Sequence, residues 1–413
     1  MAKPILRRID PRPGRRTLAL SDIHGHSEML TGALAAAGLT PADRLIVCGD
    51  LTEKGPDSLG TLRLLMGLSR RMEVHCLLGN CDQRALRALT GNPADPQARE
   101  ALCRYIDSRK DWYGCLPAEM LRTLGLSPED HDALTAVQQR FASEIAFLKE
   151  MPTVLIAPNY VFVHAALPCA DESEWERHPQ AEFLRMDAFA DSGGKFDKWV
   201  VCGHWPAALY GSERSCCNPL VREEQRIVSI DGGCVLKASG QINVLMIPDL
   251  AQDGFRFTSF DCLPTVVAQD AQEASPHSFC IHWIDNEIEI LRENDGIIHI
   301  RHLRTGYEMD ILSSQIYSRT SPVRCAEVTD YRLPVQPGDK LSLIDPQRCA
   351  FGYFCKKRRR HRLVCRPHCR RIDFHQQQKK KNACSVLLFC LTYSVYSYTA
   401  SSITKPLPMS LTS

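Results

Sequence analysis

Short continuous apolar runs alternate with segments of helical spacing along the first part of this chain. Leu18, Ala19 and Leu20 lead into Ser21 and Asp22; Leu45, Ile46 and Val47 lead into Gly49 and Asp50; Val74, Cys76, Leu77 and Leu78 lead into Gly79 and Asn80. Runs this short and this uniformly apolar predict strands buried on both faces, as in parallel βαβ units. Between them, Met29, Leu30, Ala33, Leu34 and Ala37 recur with helical period, and so do Leu59, Leu62, Leu65 and Leu68, predicting two crossover helices. The same strand pattern returns at Tyr160–Val163, Trp199–Val201 and Arg226–Ile230, which run into His164, His204 and Asp231 and predict a second sheet. In open α/β sheets the binding crevice lies beyond the carboxyl ends of the strands, where each of these polar residues falls.

The pattern changes twice more. Residues 83–150 are polar and helical, broken by Pro93, Pro96, Pro117 and Pro128, and predict an insertion of short helices that caps the crevice. Residues 248–278 read as a linker with one strand at Phe255–Phe260. From Cys280 to Ile344 the apolar positions alternate in period two, with turns at Thr305-Gly306 and Pro337-Gly338-Asp339, which predicts a small β-barrel, SH3-like, over residues 279–357. The expected organisation is a 15-residue N-terminal extension, an α/β domain over residues 16–247, the linker, the barrel and a tail.

Five motifs at the predicted strand ends carry the chemistry: Ser21–His26, Cys48–Gly55, Leu77–Asp82, Val161–Ala165 and Cys202–Trp205. They supply Asp22, His24, Asp50, Asn80, His164 and His204. Hard oxygen donors mixed with imidazole nitrogens suit divalent transition ions such as manganese, iron or zinc. One such motif occurs by chance; five in this order do not.

Together these motifs resemble the calcineurin-like metallophosphoesterases, and among them the bacterial relatives of PPP-type serine/threonine protein phosphatases, over roughly residues 16–247. The resemblance implies two β-sheets flanked by helices and two divalent metal ions, manganese first and iron or zinc next. It implies that Asp22 and His24 hold one ion, that Asp50 bridges, and that Asn80, His164 and His204 hold the other. A hydroxide bridging the two ions would attack phosphorus, while Lys54 and Arg185 offset charge on the phosphoryl oxygens. Gly25 and Gly49 would let the backbone pass close to the ions. The chain departs from the family pattern in two places. Lys54 stands where an arginine would grip two phosphate oxygens at once, and Cys81 stands where a histidine would protonate the leaving group. Cys81 and Asp82 are therefore candidate site residues, with His26 as a substitute proton donor. No cation adjoins Cys81 in sequence, so it reads as a packing residue. His75 reads as a satisfied structural histidine.

The formal net charge of +2 conceals an acidic body, because residues 356–413 hold 13 of the 50 lysines and arginines and only one of the 48 acidic residues. The remainder carries a net charge of −10, which argues against nucleic acid as a general partner. Residues Met1–Arg16 contain no apolar signal core, so the 19 cysteines are expected as thiols in a reducing cytoplasm, with no membrane partner. The expected substrate is a phosphorylated protein or a small phosphoester, with a peptide as the partner of the barrel. A nucleotide hydrolase of the dinucleoside polyphosphate type is the second reading, and a non-catalytic metal-stabilised scaffold, motivated by Lys54 and Cys81, is the third. Residues 358–413 are atypical. A one-base shift in permitted codons for Arg359–Asp373 would encode a plausible closing strand, so this tail reads as frameshifted translation, which sequencing the gene would check.

Overall fold

The computed structural model describes residues 2–357 and the backbone of the strand Leu388–Phe389; the rest of the expected frameshifted tail, with the basic run beyond Lys357, lies outside the described residues. Two sheets form the α/β part. The first contains β2 (Thr17–Leu20), β3 (Arg44–Val47) and β4 (Glu73–Cys76) in parallel, extended by antiparallel β10 (Ile242–Ile247) and β11 (Arg256–Phe260). The second runs β1-β5-β6-β7-β9-β8, where β1 is Leu6–Arg8, β5 Val154–Ile156, β6 Tyr160–Val163, β7 Trp199–Cys202, β8 Leu220–Arg222 and β9 Ile227–Ser229. In it β6, β7 and β9 are parallel. β1, inside the expected extension, is a parallel edge strand against β5.

The sheets stack because each strand has two apolar faces to bury. Ala19, Ile46 and Leu77 from one sheet meet Phe162, Val201 and Val228 from the other in a common core. The outer face of the first sheet is covered by α1 (Ser27–Ala36), α2 (Ser58–Ser69) and helices of the insertion. The outer face of the second is covered by Trp175, Phe183 and Phe189. The insertion contributes α3 (Asn80–Leu89), α4 (Pro96–Asp107), α5 (Leu116–Leu124), α6 (Ala133–Arg140) and α7 (Ala142–Lys149). Pro96 and Pro117 sit in the first turns of α4 and α5, where a missing N–H costs nothing.

The C-terminal strands form, but they do not close among the described residues. β14 (Glu287–Asn294), β15 (Ile297–His302), β16 (Glu308–Leu312), β17 (Ile316–Ser318) and β18 (Val323–Cys325) form one antiparallel sheet in the order β16-β15-β14-β18-β17. β20 (Lys340–Cys349) pairs with β12 (Thr265–Val267) and β21 (Gly352–Lys357) in another, and β13 (Cys280–Ile281) pairs with β19 (Val328–Thr329). No hydrogen-bonded barrel closes among the described residues, which corrects the expected one. Alternation fixes which face of a strand is buried, whereas closure depends on which strands become neighbours.

These strands also grip the α/β part. Lys237 forms a buried ion pair with Glu327. Lys356 Nζ donates to Ser239 O at 2.7 Å and Gln241 Oε1 at 3.0 Å and lies 3.0 Å from Asp261 Oδ2. Trp283 packs against Trp205, with ring centroids 6.3 Å apart. The fifteen described cysteines are all free thiols. No helix among the described residues is long and apolar enough to cross a membrane.

Candidate metal centre

The loops after β2, β3, β6 and β7 converge at one end of the two sheets. The loop after β2 is tied to the loop after β3 by Asp22 N donating to Gly49 O (3.1 Å) and His24 N donating to Asp50 O (3.0 Å). The second sheet joins through His204 N, which donates to Asp22 Oδ2 at 2.9 Å. Asp22, His24, Asp50 and His204 all adopt left-handed backbone, with φ of 54°, 50°, 50° and 69°. Each such non-glycine residue costs on the order of 1–3 kcal/mol, so four at one point mark a site whose geometry the surrounding fold enforces. Gly49 (φ 84°) allows closer approach still, since a Cβ there would lie 2.6 Å from His164 Nδ1.

The side chains aim at a shared interior. Asp50 Oδ2 lies 3.8 Å from His24 Nε2, and Asp50 Oδ1 lies 3.4 Å from His164 Nε2. Asn80 Oδ1 faces His164 Nε2 at 2.9 Å and His204 Nδ1 at 3.1 Å. His164 Nδ1 is 2.9 Å from Cys48 O. A carbonyl only accepts, so Nδ1 carries the hydrogen and the Nε2 lone pair points at the oxygens of Asn80 and Asp50. That convergence of lone pairs is repulsive without a cation between them, and the backbone carbonyl behind the ring is the usual orienting partner of a metal-ligating histidine.

Two groups of potential ligand atoms lie within 4.8 Å of one another: His24, Asp50 and Cys81, and Asp22, Asp50 and His164. Asp50 belongs to both. Two buried polar atoms here have no hydrogen-bond partner among the described residues: Asp22 Oδ1 and Asp231 Oδ2. Burial raises Asp22 to about 8, with the Asp50 charge adding to it. Burial and the Lys54 ammonium hold His24 down at about 3, so the ring is neutral and keeps a lone pair. Asp50 stays below the usual carboxylate range despite desolvation, with the Lys54 ammonium and the hydrogen bond from the Cys81 amide favouring its charged form. Crowded carboxylates with orphaned oxygens and neutral imidazoles are what divalent cations fit.

Lys54 Nζ lies 3.2 Å from His24 Nε2 and is surrounded by Cys81, Asp50, Asp22 and Asp231. Cys81 therefore does have a cation within electrostatic range, Lys54, contrary to the sequence-based expectation. Arg185 follows the short helix α8 (Gln180–Leu184), forms no ion pair among the described residues, and feels Arg84, Arg87, Cys81 and Asp50. Asp82 is a brace. Its carboxylate accepts from the amides of Leu51, Thr52 and Gly79, holding the Asp50 loop against α3. His26 caps α1, its ring accepting from Met29 N at 3.4 Å, and His75 bonds Glu73 at 2.9 Å.

Two features lie outside the set of site residues chosen from the sequence. Asp231, fully buried at the end of β9, turns a carboxylate toward Asp22, Lys54 and His164. Its position after a predicted strand was the available signal. The second is the clamp on the Lys54 loop: Glu53 Oε1 accepts from Leu116 N (2.8 Å), Glu53 Oε2 lies 3.4 Å from Arg109 Nε, and Tyr113 N donates to Lys54 O (3.2 Å). Arg109 in turn lies over the Tyr105 ring, 3.5 Å from its centre. Nothing local marks those pairs, since the partners come from the insertion.

Residues 15–231 match the model of the calcineurin-like phosphoesterase family, and the chain belongs to that family of hydrolases. It is 24% identical over 260 residues to the asymmetrical bis(5'-nucleosyl)-tetraphosphatase PrpE of Bacillus subtilis, covering 56% of this chain and 90% of that protein. It is likewise 24% identical over 266 residues to the symmetrical bis(5'-nucleosyl)-tetraphosphatase of Photobacterium profundum, covering 53% and 90%. With serine/threonine-protein phosphatase 1 of Salmonella typhimurium it shares 34% identity over 116 residues, covering 28% of this chain and about half (48%) of that one.

Proposed function

We propose that this phosphoesterase works with two divalent cations held on either side of Asp50, manganese being the first metal to test. The observation that supports the reading is the placement of the Asp50 oxygens, one toward His24 and the other toward His164. Asp22 and Asn80, with His204 behind Asn80, complete the donor set. Divalent cations held by these residues would lower the pKa of a water and offset charge on phosphoryl oxygens. The chain's own residues do the rest. Lys54 and Arg185 supply positive charge for the oxygens that gain charge as the bond to phosphorus breaks. The Glu53–Arg109 pair and the Tyr113 amide hold the Lys54 loop in its left-handed turn (φ 75° at Glu53 and 71° at Lys54).

Leaving-group chemistry guides the substrate reading. An efficient general acid has a pKa near the working pH, and burial pushes the Cys81 thiol well above its ordinary value. A serine or threonine alkoxide needs a proton on departure, whereas a nucleoside polyphosphate does not. We therefore read the substrate as a phosphoanhydride of the dinucleoside polyphosphate class. The phosphoprotein reading is supported by the identity shared with the Salmonella phosphatase. Metal-loaded enzyme assayed on a dinucleoside tetraphosphate, a phosphoserine peptide and an aryl phosphate separates them. The anhydride should show the highest kcat/KM; a faster phosphopeptide reverses the order, and hydrolysis of none of the three overturns the catalytic reading. Free cysteines in the core support placement in the cytoplasm, which fractionation of a tagged chain tests.

A further inference from the structure

We propose that Arg84 and Arg87, together with Arg185, form a subsite for the phosphates of a polyphosphate chain that lie beyond the one under attack, so that the cleft selects phosphoanhydrides over single phosphoesters. The inference rests on the phosphoanhydride reading above and adds to it the residues that enforce the choice.

Helix geometry places the first two. α3 begins at Asn80, and Arg84 and Arg87 follow at i+4 and i+7, so all three share one face of the helix. At 1.5 Å of rise per residue, Arg84 stands about 6 Å and Arg87 about 10 Å along the axis from Asn80. Asn80 is the residue that faces His164 and His204, so the stripe starts at the candidate centre and leads away from it. Arg84 and Arg87 are exposed, while Gln83, Ala85 and Ala88 between and beside them are buried.

Arg185 reaches the same place from the connection between β6 and β7. The buried Gln83 Nε2 donates to Gln180 Oε1 at 2.7 Å, which fastens the first turn of α3 to the first residue of α8, and Arg185 follows the last. Two residues on, Asp187 Oδ1 lies 3.7 Å from His204 Nε2, so this segment runs along the edge of the centre. Burial lowers the Arg185 pKa, and the charges of Arg84 and Arg87 lower it further.

Three like charges are thus gathered, and none has a partner. Among the described residues Arg84, Arg87 and Arg185 form no ion pair and no side-chain hydrogen bond, and Arg185 Nε is buried without an acceptor. The body of the chain carries a net charge of −10, yet no carboxylate is spent on them. A phosphate chain supplies what they lack, since a guanidinium fork takes two phosphate oxygens at a time. A serine or threonine phosphoester brings a single phosphoryl group, which Lys54 and Arg185 serve at the centre, and it leaves Arg84 and Arg87 unused.

Inorganic tripolyphosphate titrated into the metal-stripped full chain in a calorimeter reads the subsite without chelation or turnover. The unaltered chain should bind it, and Arg84→Gln combined with Arg87→Gln should weaken binding tenfold or more. Arg324→Gln, which removes an arginine paired with Glu287 in β18, should bind as the unaltered chain does; circular dichroism checks that each variant is folded. With metal restored, the ratio of kcat/KM on a dinucleoside tetraphosphate to that on an aryl phosphate should fall tenfold or more in the double glutamine variant, through KM, and recover in part in Arg84→Lys with Arg87→Lys. No binding of tripolyphosphate, or equal binding by the double variant, overturns the inference. A tetraphosphate that stays the best substrate with an unmoved ratio overturns it as well and leaves the phosphoanhydride reading standing. A phosphopeptide hydrolysed faster than the tetraphosphate overturns that reading and, with it, the role in selection.

Discussion

The candidate metal centre and the docking surface of the C-terminal strands both bury charge, and they differ in how far it is paired, although Glu327 Oε2 at the docking surface also has no hydrogen-bond partner among the described residues. At the docking surface each buried ammonium has its partner: Lys237 has Glu327, and Lys356 has Asp261 together with Ser239 O and Gln241 Oε1. In the candidate centre, Asp22 Oδ1 and Asp231 Oδ2 have none among the described residues. A buried unpaired polar group costs on the order of 1–3 kcal/mol, so a cluster of them persists only where something else completes it. Satisfied charge specifies how two parts of a protein sit together. Unsatisfied charge at the meeting point of strained loops marks where a ligand belongs.

Removing the shared carboxylate breaks the comparison hardest. Asp50→Asn should lower metal-dependent turnover by about 10^3-fold or more while leaving the chain folded, because its two oxygens serve both cation positions. Turnover retained in metal-bound Asp50→Asn protein, measured beside its circular dichroism, would sink the assignment.

At the docking surface the expectation is structural. Lys237→Met leaves Glu327 buried without its partner and should cost roughly 3–5 kcal/mol in denaturant unfolding, whereas the double variant Lys237→Met with Glu327→Leu should regain most of that loss. Equal losses in the single and double variants would mean that the pair does not hold the strands in place.

Supplying the missing partners should stabilise the centre. A divalent ion at about 100 times its dissociation constant adds roughly 2.7 kcal/mol by mass action, which is a rise of several degrees in melting temperature. Thermal melts with manganese and with chelator measure it; identical curves would mean that the orphaned oxygens are not a cation site.

The smallest effect lies far from the centre, at the opening end of β3 and β4, where charge is again paired. Glu73 accepts from Arg44 Nε at 2.5 Å and from His75, and it also pairs with Arg15. Desolvation alone would raise its pKa, but the Arg44 and His75 hydrogen bonds win and hold it down at about 2, against 4.5 for the free carboxyl. A carboxyl depressed in the folded state contributes stability that is complete above the unfolded value and lost as pH falls through the folded one. The contribution, cut by solvent screening to about 1 kcal/mol, should therefore disappear between about pH 4.5 and 2. Glu73→Gln should flatten the stability–pH curve over that window; an unchanged slope would show that the Arg44 pair is not what depresses this group.

The strand–loop–helix units of the first sheet were legible because their signals are local. Leu18–Leu20 and Leu45–Val47 are uniformly apolar, the intervening repeats have helical period, and Asp22, Asp50 and Asn80 follow the strands directly. The period-two strands after Cys280 were legible for the same reason. Their closure was not, because the period of a strand says nothing about its neighbours. The cleft was legible as a list of residues and not as an arrangement: Asp82 proved to be a brace, Lys54 stands beside Cys81, and Asp231 faces the same interior.

Sequence by itself determined the elements, the donor types and the loops that carry them, since each depends on residues within a few positions of one another. Tertiary structure alone decided the groupings: Asp22 with Asp50 and His164, and His24 with Asp50 and Cys81. Those distances are set by how Ala19, Ile46 and Leu77 pack against Phe162, Val201 and Val228 across two sheets. Close packing between residues more than eighty positions apart leaves no periodic trace in the chain, so the same six residues come together only when that shared core is filled.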